Sequence, residues 1–187
     1  MMGKYDHCIH EFIPEYTEWG DWCPSPQAYF RGEACMPGTN YHCGYQVIAG
    51  PTWMEEAHCH HGVEEYFVII GANLENVWDW DAEIDVMLGE DIDHMEQFTI
   101  DRPVIVRIPP NLWHCPINFR KINKPILWQA VYLNGTWGKT LARSKPDGQR
   151  YFEFMGDGIQ ICRKNPNAKC SYCGRCFKEA IAAMAEK

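Results

Sequence analysis

Short apolar runs follow one another through the middle of the chain, and Gly, Pro, Asn or Asp closes most of them. Examples are EEYFVIIG, VIVRIP and PILWQAVYLN, which are rich in β-branched and aromatic residues. Many short runs of this kind, separated by turn residues, predict the strands of a sandwich or barrel. No segment of helical period interrupts residues 41–134, which argues against units of alternating strand and helix. The pattern therefore predicts an all-β, antiparallel fold.

The pattern differs at the two ends of the chain, and this difference divides the sequence into three parts. Residues 1–40 are predicted to form an irregular N-terminal arm that could add one edge strand. Residues 41–145 are predicted to form the β-domain itself. Residues 146–187 are predicted to form a C-terminal extension with a cysteine cluster, and apolar residues at helical spacing indicate a helix over residues 175–187.

Length, charge and cysteine content narrow the setting in which the protein works. The chain has 187 residues, enough for one well-cored domain with appendages. Its formal net charge of −8 argues against binding to nucleic acid or to an anionic membrane surface. No apolar run approaches the ~20 residues that a membrane-spanning helix needs, and the N-terminal residues hold no apolar signal core. Ten cysteines without an export signal favour a reducing compartment, so a cytoplasmic location is expected.

Residues 58–65 read HCHHGVEE and form the densest group of metal-binding residue types in the chain. On a strand, His58 and His60 would face the same side and Cys59 the other. Imidazole is the commonest metal-binding side chain, and a carboxylate beside two of them gives a set typical of non-haem iron. Glu64 or Glu65 could supply the carboxylate, because only one of two neighbours on a strand faces inward.

A second segment, PPNLWHCPIN, places a turn before a short apolar strand that carries His114. This histidine is the natural fourth ligand. Together the two segments resemble the two motifs of the cupin superfamily, which occur here in the right order. The first motif is His-x-His, three or four residues, Glu, six residues and Gly; the second is Pro-x-Gly, two residues, His, three residues and Asn. The matching residues are His58, His60, Glu64 and Gly71, and then Pro109, Asn111, His114 and Asn118.

The chain departs from these motifs only in turn positions. Asn111 stands where the second motif has glycine, and it tolerates a left-handed backbone better than most other residues. Thr52 and Pro103 replace the glycines that precede the two motifs. None of these changes removes a ligand, so the resemblance, which spans residues 41–134, extends to the metal site.

The resemblance implies an antiparallel jelly-roll barrel in which His58, His60, Glu64 and His114 hold one divalent metal. The motif has six residues between its glutamate and its glycine, and this spacing to Gly71 selects Glu64 over Glu65 as the carboxylate ligand. Iron, zinc, manganese and nickel are not distinguished by these residues. The resemblance also implies a small-molecule ligand inside the barrel and a homodimer formed through the sheets. Candidate pocket residues, which could equally be barrel core, are Tyr66, Trp78, Trp113, Asn118 and Trp128.

Cys59 and Cys115 each follow a candidate ligand histidine by one position. Alternation along a strand should therefore turn both thiols out of the pocket. The strands that carry them lie side by side in the cupin barrel. The resemblance thus leads to the hypothesis that these two cysteines form a disulfide.

A cysteine cluster near the C-terminus indicates a second metal site. Cys170-x-x-Cys173 followed by glycine has the form of a zinc knuckle, Cys176 adds a third thiolate, and Cys162 could be the fourth. The run also resembles the start of an iron–sulfur sequence, but Ala180 stands where that sequence has its fourth cysteine. Zinc, an iron–sulfur cluster and no metal at all remain open here.

Two functions are consistent with these features. The first is a metal-dependent cupin enzyme that acts on a small molecule in the barrel, as a dioxygenase, a decarboxylase or an isomerase. The second is a non-catalytic cupin that serves as a ligand sensor or metal-binding module. The fold does not choose the reaction, and the sequence contains no competing catalytic motif.

Overall fold

The structure is a computed structural model. It describes residues 4–17, 19–135 and 137–156, together with the backbone of residues 161–162 and 165–169. The helix predicted over residues 175–187 lies outside these ranges. Within them, none of the helical segments has the length and apolar character needed to cross a membrane.

Two antiparallel sheets and one separate hairpin hold the strands of the described residues. The first sheet has the order β1–β2–β10–β5–β8, and its strands are Ala28–Phe30, His42–Ile48, Ile126–Tyr132, Glu65–Gly71 and Val104–Ile108. The second has the order β12–β11–β4–β9–β6–β7, and its strands are Arg150–Gly156, Gly138–Ser144, His58–Cys59, Trp113–Ile122, Ala82–Gly89 and Glu96–Ile100. Strand β3, Thr52–Met54, pairs with β9, and a separate hairpin joins β13, Ile161–Cys162, to β14, Asn165–Lys169. Two 3-10 turns, Asp6–Cys8 and Gly32–Ala34, precede β2.

The chain crosses repeatedly between the two sheets, which face each other across one shared cluster of buried apolar side chains. Strand β4 lies in the second sheet and β5 in the first, and the run β8, β9, β10 and β11 alternates between them in the same way. Neighbouring strands within each sheet are antiparallel. The predicted all-β, antiparallel jelly-roll is confirmed.

The main core fills the space between the sheets. Along β5 the buried positions alternate with partly exposed ones, so that Phe67 and Ile69 face inward. Phe119 of the second sheet meets Trp128 of the first edge to face, with ring centroids 5.6 Å apart. Phe67 packs on the same indole at 4.5 Å. The contact of Phe119 with Trp128 joins the two sheets, and the Phe67 ring lies 5.8 Å from the ring of the buried His114 between centroids.

Removing the Phe119 ring should destabilise the fold strongly. The side chain is fully buried, so Phe119→Ala should lower the free energy of unfolding by about 3–5 kcal/mol, as lost burial and the remaining cavity add together. Urea denaturation followed by tryptophan fluorescence measures this loss. Phe98→Ala is the matched control, because that ring is 47% exposed and its removal should cost much less. Equal losses in the two variants would contradict this account of the core.

Candidate metal centre

Four buried side chains meet between the sheets: His58, His60, Glu65 and His114. Their metal-binding atoms all lie within 4.8 Å of one another. His58 lies in β4 directly opposite His114 of β9, and His60 follows β4 by one residue. Glu65 is the first residue of β5 and so approaches from the other sheet. Both sheets therefore contribute ligands, and neither sheet alone holds all four.

Backbone carbonyls orient all three imidazoles. A carbonyl oxygen can only accept a hydrogen bond, so each Nδ1 that contacts one must carry the proton. We assign the lone pair of each ring to Nε2 on this basis, which is the arrangement that metal-binding histidines normally use. The three contacts are His58 Nδ1 to the Glu56 carbonyl at 2.6 Å, His60 Nδ1 to the Gly138 carbonyl at 2.6 Å, and His114 Nδ1 to the Leu112 carbonyl at 3.0 Å.

The atoms that face the middle of the cluster are all acceptors. Glu65 Oε2 lies 3.2 Å from His60 Nε2 and 3.0 Å from His114 Nε2. Although these distances are short, none of the three atoms has a hydrogen-bond partner of acceptable geometry among the described residues. Buried lone pairs that face one another without a positive charge between them are costly. The donor set therefore fits a divalent cation.

The electrostatics of the cluster keep the ligands in the form that binds metal. Burial holds the pKa of His58 well below 6.5, and the neighbouring His114 and His60 lower it further. Burial would raise the pKa of Glu65, but His60 and His114 outweigh that effect and lower the pKa to about 2. Glu65 is therefore ionised at neutral pH. An ionised carboxylate and neutral imidazoles are the forms in which these side chains bind a metal.

The structure corrects the carboxylate chosen from the sequence. Glu64 faces the outside, where it pairs with Arg107 and accepts a 2.8 Å hydrogen bond from the Tyr66 hydroxyl. The Arg107 guanidinium also lowers the pKa of Glu64. Glu65 is in phase with the buried positions of β5 and is 1% exposed. The prediction of Glu64 is wrong because the motif spacing to Gly71 is one residue shorter here than in the motif.

Strand alternation could not have separated the two glutamates in advance. Both phases of β5 are apolar, with Phe67 and Ile69 on one side and Val68 and Ile70 on the other. The outer phase is covered by a second, smaller apolar cluster that includes Phe30 and therefore needs apolar residues too. The spacing to His60 could not separate them either, because the motif allows three or four residues there, which fits both Glu64 and Glu65.

A cavity of about 370 Å³ lies against the cluster. Its wall includes His58 and Glu65, while His60 and His114 are not among its lining residues. Phe67 contributes an apolar part of the wall. Charged residues that the sequence did not single out also line it, namely Glu55, Lys139 and Arg31. The cavity thus reaches the centre from the side of His58 and Glu65.

Of the five predicted pocket residues, the structure places only Trp128 in the wall of this cavity. Tyr66 packs in the outer apolar cluster, on the opposite face of the first sheet. Trp78 is 72% exposed in the loop that joins β5 to β6. Trp113 is buried against Phe152, with ring centroids 5.7 Å apart. Asn118 alternates with the fully buried Ile117 and Phe119 of β9, so its side chain faces outward. The structure thus places none of these four residues in the wall of this cavity.

Cys115 lines the cavity, contrary to the expectation that it would face outward. The pairing of β9 with β6 contains a β-bulge. Val86 of β6 pairs with Ile117 and Leu88 pairs with His114, so β9 has one residue more than β6 between these two pairs. Cys115 lies in this bulge with a positive φ of 64°. A β-bulge of this kind redirects a side chain, and here His114 and Cys115 both point inward. Cys59 and Cys115 are both free, so the hypothesis of a disulfide between them is wrong.

The second predicted site lies outside the part of the chain that can be analysed. Cys170, Cys173 and Cys176 fall beyond the described residues, and only the backbone of Cys162 is described, in β13. The zinc, iron–sulfur and metal-free alternatives for these cysteines therefore stay predictions.

Comparison with known proteins gives matches among solved structures only. No protein-family model matches the chain, and no curated protein matches it either. A mutant of the Bacillus subtilis oxalate decarboxylase matches with a TM-score of 0.47 and 10% identity, over 68% of this chain and 29% of that chain. An oxalate oxidase matches with a TM-score of 0.44 and 12% identity, over 64% of this chain and 55% of that chain. A protein from Bacillus halodurans matches with a TM-score of 0.38 and 13% identity, over 59% of this chain and 69% of that chain. The chain thus spans less than a third of the oxalate decarboxylase that it matches.

Acid should destabilise the metal-free protein through His58. Because its pKa is below 6.5 when folded, the unfolded chain takes up a proton that the folded chain does not. The contribution of His58 to the free energy of unfolding is fully present above pH 6.5, the pKa of an ordinary histidine, and is lost as the pH falls below that value. Urea denaturation with a chelator present should show a loss of up to ~1.4 kcal/mol per pH unit per proton below that point.

Substitution of His58 tests the source of this pH dependence. His58→Gln should remove its share of the acid sensitivity. His94→Gln is the control, since His94 is exposed and Asp91 raises its pKa. This shift is opposite in direction to that of His58, so the substitution should not reduce the acid sensitivity. A pH dependence that is the same in wild type and His58→Gln would contradict the assignment.

Proposed function

We propose that this protein is a metal-dependent cupin enzyme that acts on a small molecule bound in the cavity. His58, His60, Glu65 and His114 would hold one divalent metal. The observation that carries the proposal is the convergence of three imidazole lone pairs on an ionised, fully buried carboxylate. When bound, the metal would supply a Lewis acid or a redox centre. Dioxygenase, decarboxylase and isomerase chemistry all suit such a centre, and the fold does not distinguish among them.

The residues around this centre support binding of a small molecule on the side of His58 and Glu65, where the cavity lies. The carbonyl contacts to the three Nδ1 atoms hold the imidazoles in place, which is how metal sites keep their geometry without the ion. Phe67 and Trp128, whose rings pack on each other, give the cavity an apolar part of its wall. Since His58 and Glu65 form part of the cavity wall, a small molecule there lies directly beside the metal-binding atoms.

Metal analysis of two glutamate variants tests the proposal. Protein purified without a histidine tag should contain about one metal equivalent in the barrel. Glu65→Gln should lower the metal affinity by at least ~10-fold, because it removes the charged ligand. Glu64→Gln should leave the metal content unchanged, because that carboxylate pairs with Arg107 on the outside. His114→Ala should also abolish binding and any turnover.

These measurements also separate the enzyme from the ligand sensor. Elemental analysis and a competition titration with a coloured chelator give content and affinity for each variant. A wild type without metal, or equal metal content in Glu65→Gln and Glu64→Gln, would overturn the proposed centre. Ligand binding that survives metal removal unchanged would instead indicate the non-catalytic sensor.

We also propose that the C-terminal cysteines bind zinc as a structural ion. Cys170 and Cys173 have zinc-knuckle spacing, Cys176 would add a third thiolate and Cys162 a fourth. A short extension also has little apolar surface with which to fold alone. Cys173→Ser should remove one zinc equivalent per chain and leave the barrel metal in place, as measured by elemental analysis. Iron with acid-labile sulfide would indicate the iron–sulfur alternative. The homodimer and the cytoplasmic location stay predictions.

A further inference from the structure

Lys139 is a buried lysine that lines the cavity beside the candidate metal centre. The residue is 7% exposed. In the pairing of β11 with β4, Leu141 lies opposite His58 and Thr140 opposite Cys59, so the same register brings Lys139 next to His60. Lys139 lines the same cavity as His58 and Glu65 of the cluster. Lysine is almost never buried unless its charge is paired.

Glu55 is the carboxylate that pairs with this lysine, and it too lines the cavity. It lies between β3 and β4 with a positive φ of 65°, a conformation that non-glycine residues adopt rarely. Such backbone strain is concentrated at functional sites. The Glu55 side chain is 33% exposed, so its carboxylate can leave Lys139 towards solvent. Glu55 thus occupies the position on Lys139 that a ligand carboxylate would take.

The charges of the cavity favour an anion once the metal is bound. Lys139 is balanced by Glu55, and Arg31 is balanced by Glu15 of the N-terminal arm. The remaining charge is that of Glu65, since the three imidazoles are neutral in the metal-binding form. A divalent metal therefore leaves one positive charge in excess, whereas the metal-free cavity has one negative charge in excess. Anion binding should depend on the metal.

The rest of the wall suits an apolar body attached to that anion. Four apolar side chains line the cavity, namely Phe67, Trp128, Met54 and Ala130. The Lys139 ammonium also lies over the Trp137 ring, 5.4 Å from its centroid. A volume of about 370 Å³ is in the range of small-ligand pockets. We propose that the ligand is a small monocarboxylate with an apolar body, whose carboxylate faces Lys139 and the metal-binding cluster. This inference rests on the proposed metal centre.

Benzoate and benzamide test the inference, because they share a shape and differ by one charge. Isothermal titration calorimetry on the full-length, metal-loaded protein should show benzoate binding at least ~10-fold more tightly than benzamide, as expected for a charge-assisted contact. Lys139→Met should weaken benzoate binding by about tenfold and leave benzamide binding unchanged. Lys139→Arg should retain the preference for the anion. Glu55→Gln should strengthen benzoate binding, because it removes the competing carboxylate. A chelator should abolish the preference.

Two further variants keep the test independent of folding. Lys139→Met combined with Glu55→Gln removes the whole ion pair without leaving an unpaired charge, and it should bind benzoate as weakly as Lys139→Met alone. Lys124→Met is the matched control, since Lys124 pairs with Asp79 on the surface, and it should bind benzoate normally. Thermal unfolding of each variant confirms that it is folded.

The possible outcomes separate the two proposals. A wild type that binds no metal overturns both. A fully metal-loaded protein that binds benzoate no better than benzamide, binds neither, or keeps its preference in Lys139→Met overturns the monocarboxylate site and leaves the metal centre standing.

Discussion

An ionised carboxylate buried against the unprotonated nitrogens of His60 and His114 requires a positive charge between them, and the geometry of the site follows from this requirement. Glu65 comes from one sheet and the histidines from the other, so the charge also joins the two layers of the jelly-roll. Carbonyl oxygens turn each imidazole so that its lone pair points inward. The backbone of the fold thus holds a cation site ready before any ion enters.

The all-β architecture and the three histidines could be predicted from the sequence because both depend on short-range patterns. Turn residues divide the apolar runs, and two histidines separated by one residue face the same side of an extended segment. The choice between Glu64 and Glu65 depended instead on which face of β5 turns towards the other sheet. Both faces of that strand are covered by apolar clusters, so hydrophobicity alone carried no answer.

The cavity was harder to predict because its residues are brought together by irregular features. A bulge in β9 turns Cys115 inward, and Glu55, whose own backbone has a positive φ, lies beside Lys139. Neither feature has a signature in the order of apolar and polar residues. Aromatic content was also a poor guide, since indole and phenol rings serve equally as core, outer packing and surface. Of the aromatic candidates, Trp128 lies where both sheets contribute to the wall.

The N-terminal arm is part of the cavity wall and not an appendage to it. Trp19, Tyr29 and Arg31 all line the cavity, although they precede residue 41, where the regular strand pattern of the sequence begins. Glu15 holds Arg31 in place, and β1 adds the arm to the edge of the first sheet. A chain shortened to the regular strands would therefore keep the metal-binding residues but lose one side of the space in front of them. The part of the chain that forms the cavity is therefore longer than the part in which the sequence shows a regular pattern of strands.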